Sequence, residues 1–245
     1  MATYVISDIH GEYQRLIKLL KKIDFNDSDM LYLLGDMIDR GNQSLKILQF
    51  AMQHQNMIAL MGNHEYMAIQ PLNWLSSNDI SQLKNMSADL TKDFVEWLNI
   101  GGQSTMKEFQ ALTHDEQENI LQYLNELLPY EELTVSGQQF VLVHAGIDNF
   151  SKTKDLAEQN IEELIFDKPS YYLKYFDDKY LVTGHTPTRY IREEELNLVR
   201  GIVDKNCHKY DKIFKANNHI AIDCGCGYGG LLGAIRLDDL QEFYV

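Results

Sequence analysis

Five times in 245 residues a short apolar run ends at a loop that sets a glycine beside Asp, His or Asn. The junctions are Asp8-Ile9-His10-Gly11, Gly35-Asp36-Met37-Ile38-Asp39-Arg40-Gly41, Gly62-Asn63-His64-Glu65, His144-Ala145-Gly146 and Gly184-His185-Thr186. No other feature constrains the fold as tightly. The runs before the first three loops, residues 3–7, 30–34 and 57–61, are short and apolar and read as strands. Between them Leu16, Leu19, Leu20 and Ile23, then Leu45, Ile47, Leu48 and Met52, fall at helical spacing, with Ser44 placed to cap the second helix. The first 65 residues therefore read β-α-β-α-β. In open α/β sheets ligands gather at the carboxyl ends of strands, so the polar residues there are the candidates for function.

From residue 71 to 130 the character changes. β-Branched runs are few, and Phe94, Trp97 and Leu98, then Ile120, Leu121, Leu124, Leu127 and Leu128, lie on helical faces. This predicts a helical insertion within a single 1–245 domain, lying over the edge of the site. Strands return from Glu132, with runs at 133–135, 139–143, 180–183, 220–223 and 231–237. Gly225, Gly227, Gly229 and Gly230 predict a hairpin turn between the last two.

Composition narrows the partners. Lys and Arg total 22 against 36 Asp and Glu, a formal charge of −14. That balance argues against nucleic acid or an anionic membrane surface, which reward clustered cations. Six arginines, Arg15, Arg40, Arg189, Arg192, Arg200 and Arg236, leave few forks for phosphate. Cys207, Cys224 and Cys226 make no disulfide framework. Residues 1–11 lack a basic leader region, and no apolar run reaches membrane-spanning length, so a cytoplasmic protein is expected. Cys224-Gly225-Cys226 reads as two buried or turn thiols ahead of a soft-metal or redox pair, Glu193–Glu195 as a solvated face, and Tyr171, Tyr172, Tyr175 and Phe176 as packing of an amphipathic segment, with the lining of a substrate groove as the alternative.

Asp8 and His10 are two residues apart, so at an extended strand end both side chains share a face. A carboxylate and an imidazole together suit Mn²⁺, Fe²⁺ or Zn²⁺. The two oxygens of Asp36 could bridge two ions, Asn63 can offer a carbonyl oxygen, and His144 and His185 can complete a second site. Two ions about 3.5–4 Å apart would activate a water and polarise a phosphate. Taken singly, each pair has an ordinary structural reading; five such junctions together do not.

The ordered set SDIHG, GDMIDRG, GNHE, HAG and GHTP, spread over residues 7–187, resembles the phosphoprotein phosphatase branch of the calcineurin-like metallophosphoesterases. The resemblance implies an α/β (α+β) fold, two mixed β-sheets packed as a sandwich flanked by helices. It implies that Asp8, His10 and Asp36 hold one metal and that Asp36, Asn63, His144 and His185 hold the other, with Mn²⁺ expected and Fe or Zn as alternatives. His64 would be the general acid, oriented by Asp39, and Arg40 would bind phosphate oxygens, with Asn63 also contacting the substrate. A hydroxide held between the ions would attack phosphorus in line, with no phosphoenzyme. Three departures stand out: Ser7 replaces the usual Gly, Met61 replaces an Arg, and no Arg lies between Gly146 and Gly184, where Lys168 could stand in.

The expected activity is hydrolysis of a phosphorylated protein or small phosphoester, on phosphoserine or phosphothreonine, with phosphotyrosine as an extension. The Asp39-Arg40 pair and Glu65 favour this reading. A symmetrical bis(5'-nucleosyl)-tetraphosphatase and a non-catalytic phosphate-binding protein are the alternatives.

Overall fold

The computed structural model describes residues 1–78, 80–151, 153–171, 173–191 and 211–245. Tyr172, Glu193–Glu195, Cys207 and His208 lie outside the described residues. The predicted β-α-β-α-β opening is present as β1 (Thr3–Ile6), α1 (Tyr13–Lys22), β2 (Met30–Leu33), α2 (Ser44–Met52) and β3 (Met57–Ala59). Four helices follow: α3 (Asn63–Ser77), α4 (Ala88–Trp97), α5 (Gln103–Gln110) and α6 (His114–Asn125). The helical stretch expected over 71–130 thus begins earlier, because α3 runs unbroken through Pro71. Next come β4 (Tyr130–Val135), β5 (Gln138–Val143), α7 (Ile161–Ile165), β6 (Lys179–Thr183), β7 (Phe214–Ala216), β8 (His219–Ala221), β9 (Gly233–Arg236) and β10 (Gln241–Tyr244).

These strands form two mixed sheets, ordered β10-β9-β1-β2-β3 and β4-β5-β6-β8-β7. Side chains alternate across a strand, and both faces here are apolar. Val5, Tyr32, Phe140, Leu142, Val182 and Ile220 pack between the sheets. Their neighbours Tyr4, Ile6, Leu31, Leu33, Val141, Val143 and Leu181 point away, into the core shared with the helices. Strands β1, β2 and β3 run parallel, as do β5, β6 and β8. Loops after β1, β2, β3, β5 and β6 carry the five sequence junctions, so parallel strands from both sheets deliver them to one edge.

Two local expectations are corrected. The glycine-rich segment does not close a hairpin: β8 belongs to one sheet and β9 to the other, where β9 pairs with β1 and β10. Gly225 and Gly229 take left-handed φ values of 76° and 78° and turn the chain from one sheet to the other. A short apolar run suits a strand of either sheet, so the pattern could not choose the partner. Nor does Ser44 cap α2 with its side chain. Glu108 of α5 does so instead, accepting from the Ser44 and Leu45 N–H groups, each at 3.0 Å. The Ser44 hydroxyl turns back to accept from the Asp39 N–H at 3.0 Å.

Candidate active site

The strand-end loops bend through backbone conformations that L-residues seldom adopt. Asp8, His10, Asp36, Asp39, Arg40 and His185 have φ between 49° and 71°, half of the twelve non-glycine residues with positive φ among those described. Such concentration at one place marks backbone held under strain by its surroundings. Close approach of the loops also needs glycine. A Cβ on Gly35 or Gly62 would lie 2.5 or 2.4 Å from backbone of the neighbouring loop.

Asp36 lies at the centre. Its Oδ2 is 3.6 Å from His10 Nε2 and 3.8 Å from His64 Nε2, and its Oδ1 is 3.4 Å from His144 Nε2. Two groups converge on it: His10, Asp36 and His64, and Asp36, His144 and His185, the potential ligand atoms within each lying within 4.8 Å of one another. Asn63 joins the second group, its Oδ1 2.9 Å from His185 Nδ1 and 3.0 Å from His144 Nε2. Asp8 belongs to neither group at that spacing and is bonded to the backbone of His185, a member of the second. Its carboxylate accepts from the Ser7 hydroxyl and from the His185 N–H at 3.0 and 3.1 Å. Ser7, where the family pattern has glycine, thus holds Asp8 directly.

These groups suit cations. His144 Nδ1–H donates to the Leu34 carbonyl at 2.6 Å, and His10 Nδ1–H donates to the Ile38 carbonyl at 2.9 Å. The His144 Nε2 lone pair then faces the Asp36 and Asn63 oxygens, acceptor against acceptor in a buried space, while His10 Nε2 accepts from Arg40 Nη1. A metal ion removes that conflict, and the backbone bond that fixes the far nitrogen is the usual support of a metal-binding imidazole. Burial disfavours the charged form of all four imidazoles. It lowers His10 and His144 well below the ordinary histidine range, helped by His64 and His185 respectively. His64 is lowered by burial and then by Arg40, and His185 falls to about 4 through burial, then Lys168, then Arg40. Burial likewise raises Asp8 and Asp36 well above the usual carboxylate range, Asp223 adding to the rise at Asp8 and Asp8 to that at Asp36. Buried anions crowded in this way are stabilised by cations.

The two side chains paired in the sequence reading, His64 and Asp39, lie in contact. His64 Nδ1 is 2.7 Å from Asp39 Oδ2. Arg40 Nη2 is 3.1 Å from His64 Nε2, and Nη1 is 2.6 Å from His10 Nε2. Lys168 is on the His185 side, where its charge contributes to lowering that imidazole.

Several supporting residues carry no motif signal of their own. Asp39 is fully buried, and its oxygens accept from Trp97 Nε1 at 2.9 Å and Thr105 Oγ1 at 2.6 Å. Burial pushes this carboxyl up to about 7 against those two bonds and Arg40. The helical stretch therefore reaches into the site, and the Gly101 carbonyl accepts from the Arg40 N–H at 3.1 Å. Glu65, read from sequence only as a family marker, accepts four N–H bonds. Those from Asp36 and Met37 are 2.8 Å, that from Gly62 3.1 Å and that from Ile38 3.2 Å. It locks the Asp36 loop to the start of α3. Tyr171 and Tyr175 are buried and packed on His219 and Phe150, and Cys224 and Cys226 are buried thiols, as read from sequence.

A two-sheet sandwich with clustered imidazoles and carboxylates at the strand ends defines a metal-dependent phosphoesterase. The chain belongs to the calcineurin-like phosphoesterase family, whose model matches residues 1–221. It is 28% identical to the symmetrical bis(5'-nucleosyl)-tetraphosphatase of Chromobacterium violaceum, over 99% of this chain and 94% of that protein. It is 24% identical to the enzyme of the same name from Aliivibrio fischeri, over 99% and 97%. Among solved structures, a candidate diadenosine tetraphosphatase superposes with a TM-score of 0.65 at 16% identity, covering 99% and 92% of the two chains. A serine/threonine phosphatase from Saccharomyces cerevisiae gives 0.50 at 15% identity, covering 100% and 79%. Among the described residues no helix is long and apolar enough to cross a membrane.

Proposed function

We propose that this hydrolase removes phosphate from phosphoserine and phosphothreonine side chains, and from small aryl phosphates of similar shape. The observation that carries this reading is the Asp39–His64–Arg40 arrangement, with His64 Nδ1 2.7 Å from Asp39 Oδ2 and Arg40 Nη2 3.1 Å from His64 Nε2. Asp8, His10 and Asp36 would hold one divalent ion and Asp36, Asn63, His144 and His185 the second, with Mn²⁺ the expected metal and Fe or Zn the alternatives. When bound, the ions supply Lewis acidity toward the phosphate and activate water. Arg40 binds the phosphate oxygens, releasing the bonds it now makes to the two imidazoles. Asp39 orients His64 and stabilises its protonated ring, whose Nε2–H is delivered to the leaving oxygen. Lys168 adds a point charge on the His185 side, without the fork of an arginine.

A second reading, symmetrical cleavage of a dinucleoside tetraphosphate, is supported by the names of the relatives that match nearly end to end. Initial rates under Mn²⁺ on a phosphoserine peptide, an aryl phosphate and diadenosine tetraphosphate separate the readings. Preference for the peptide and aryl phosphate is the expected result. Preference for diadenosine tetraphosphate would establish the second reading, and metal binding without turnover of any of the three would leave a phosphate-binding protein.

A further inference from the structure

The segment that crosses between the sheets ends over Arg40. The Arg40 guanidinium carbon lies 4.3 Å from the centre of the Tyr228 ring, within cation–π range. We infer that Tyr228 is a positioning residue that fixes the plane of the Arg40 guanidinium for phosphate. The inference rests on the reading of Arg40 as the phosphate-binding arginine.

Three observations support it. First, phosphate recognition here depends on one fork. Among the described arginines, Arg15 donates to the Gly230 carbonyl, Arg189 pairs with Asp211 and Arg236 pairs with Asp239, so Arg40 alone reaches the candidate ligands. Its alignment therefore has no second arginine among them to share the task. Second, the platform that carries Tyr228 is rigid. Gly225 N–H donates to Asp223 Oδ1 at 2.8 Å, Tyr228 N–H to the Gly225 carbonyl at 2.9 Å and Gly230 N–H to the same carbonyl at 2.8 Å. Arg15 ties its far end through Gly230. Third, the platform is fitted to this site. A Cβ on Gly227 would meet the His10 ring at 2.4 Å, so glycine lets the turn rest on one of the imidazoles that Arg40 contacts. Tyr228 itself is 55% exposed, so burial does not explain an aromatic ring at this position.

An exposed cation–π contact is worth about two- to fivefold in affinity. The test measures orthophosphate Kd by calorimetry on the Mn²⁺-loaded protein, together with KM and kcat on an aryl phosphate. Tyr228→Leu removes the π face and should raise Kd and KM by about two- to fivefold while leaving kcat within about twofold. Tyr228→Phe keeps the face and should match the parent. In an Arg40→Gln background, which removes the cation, Tyr228→Leu should change Kd no further. Equal Kd values for the parent and Tyr228→Leu, loss of affinity in Tyr228→Phe, or an undiminished Tyr228→Leu effect in the Arg40→Gln background would each overturn the inference. If Arg40→Gln itself leaves Kd unchanged, the reading of Arg40 fails instead, whatever Tyr228 does.

Discussion

Replacing Glu65 with Gln changes one atom in a fully buried side chain, yet it should loosen the whole Asp36 loop. One carboxylate oxygen accepts from Asp36 and Gly62, the other from Met37 and Ile38. Whichever way a glutamine amide is turned, its NH₂ faces two N–H donors. Two hydrogen bonds to a charged acceptor are lost, at about 1.5–3 kcal/mol each. The neutral amide also escapes some of the burial that pushes the Glu65 carboxyl up to about 7, which offsets part of the loss. A net destabilisation of about 2–4 kcal/mol is expected, measured by urea unfolding of the metal-free protein. The freed N–H groups belong to the Asp36 loop and its neighbour at Gly62, so Mn²⁺ affinity, followed by calorimetry, should fall at least about tenfold, close to the loss seen on removing supporting groups at metal sites. A loss of stability below about 1 kcal/mol with unchanged Mn²⁺ affinity would refute the claim that Glu65 holds this loop.

Two further outcomes are expected. His64→Asn should lower kcat on an aryl phosphate by about 10²–10⁴ while Mn²⁺ stoichiometry is kept, because a proton donor is removed and all the assigned metal ligands remain; near-parental turnover would end the general-acid assignment. His219, buried and bonded to Thr183 Oγ1 at 2.9 Å, is lowered by burial to about 3. Between that value and the ordinary histidine pKa of about 6.5 the unfolded chain binds the extra proton, so stability falls as pH drops through this window, by at most about 1.4 kcal/mol per pH unit. The stability difference between the parent and His219→Phe, taken by urea unfolding, should therefore shift in favour of the variant from pH 7 to pH 5, and a constant difference would count against it.

Much of the site was legible because its residues sit where a strand stops. Asp8, Asp36, Asn63, His144 and His185 each follow a short apolar run, and parallel strands carry all five to one edge of the sandwich. What escaped is what acts across distance in the chain. Trp97 and Thr105 read as ordinary helical residues, since nothing local shows that both bond to a carboxylate far earlier in the chain, at Asp39. Ser44 has the chemistry of a cap, but a glutamate from α5 outcompetes it. Strand β9 lies in a short, mostly apolar run, and its choice of sheet depends on tertiary packing that such a run does not encode.

The central claim is that Asp36 is shared by two cation sites. Elemental analysis and Mn²⁺ titration of the parent and Asp36→Ala address it most directly. Two ions per parent chain, with both lost or severely weakened in the variant, is the predicted result. Two tightly held ions in Asp36→Ala, or a parent that binds none, would contradict it.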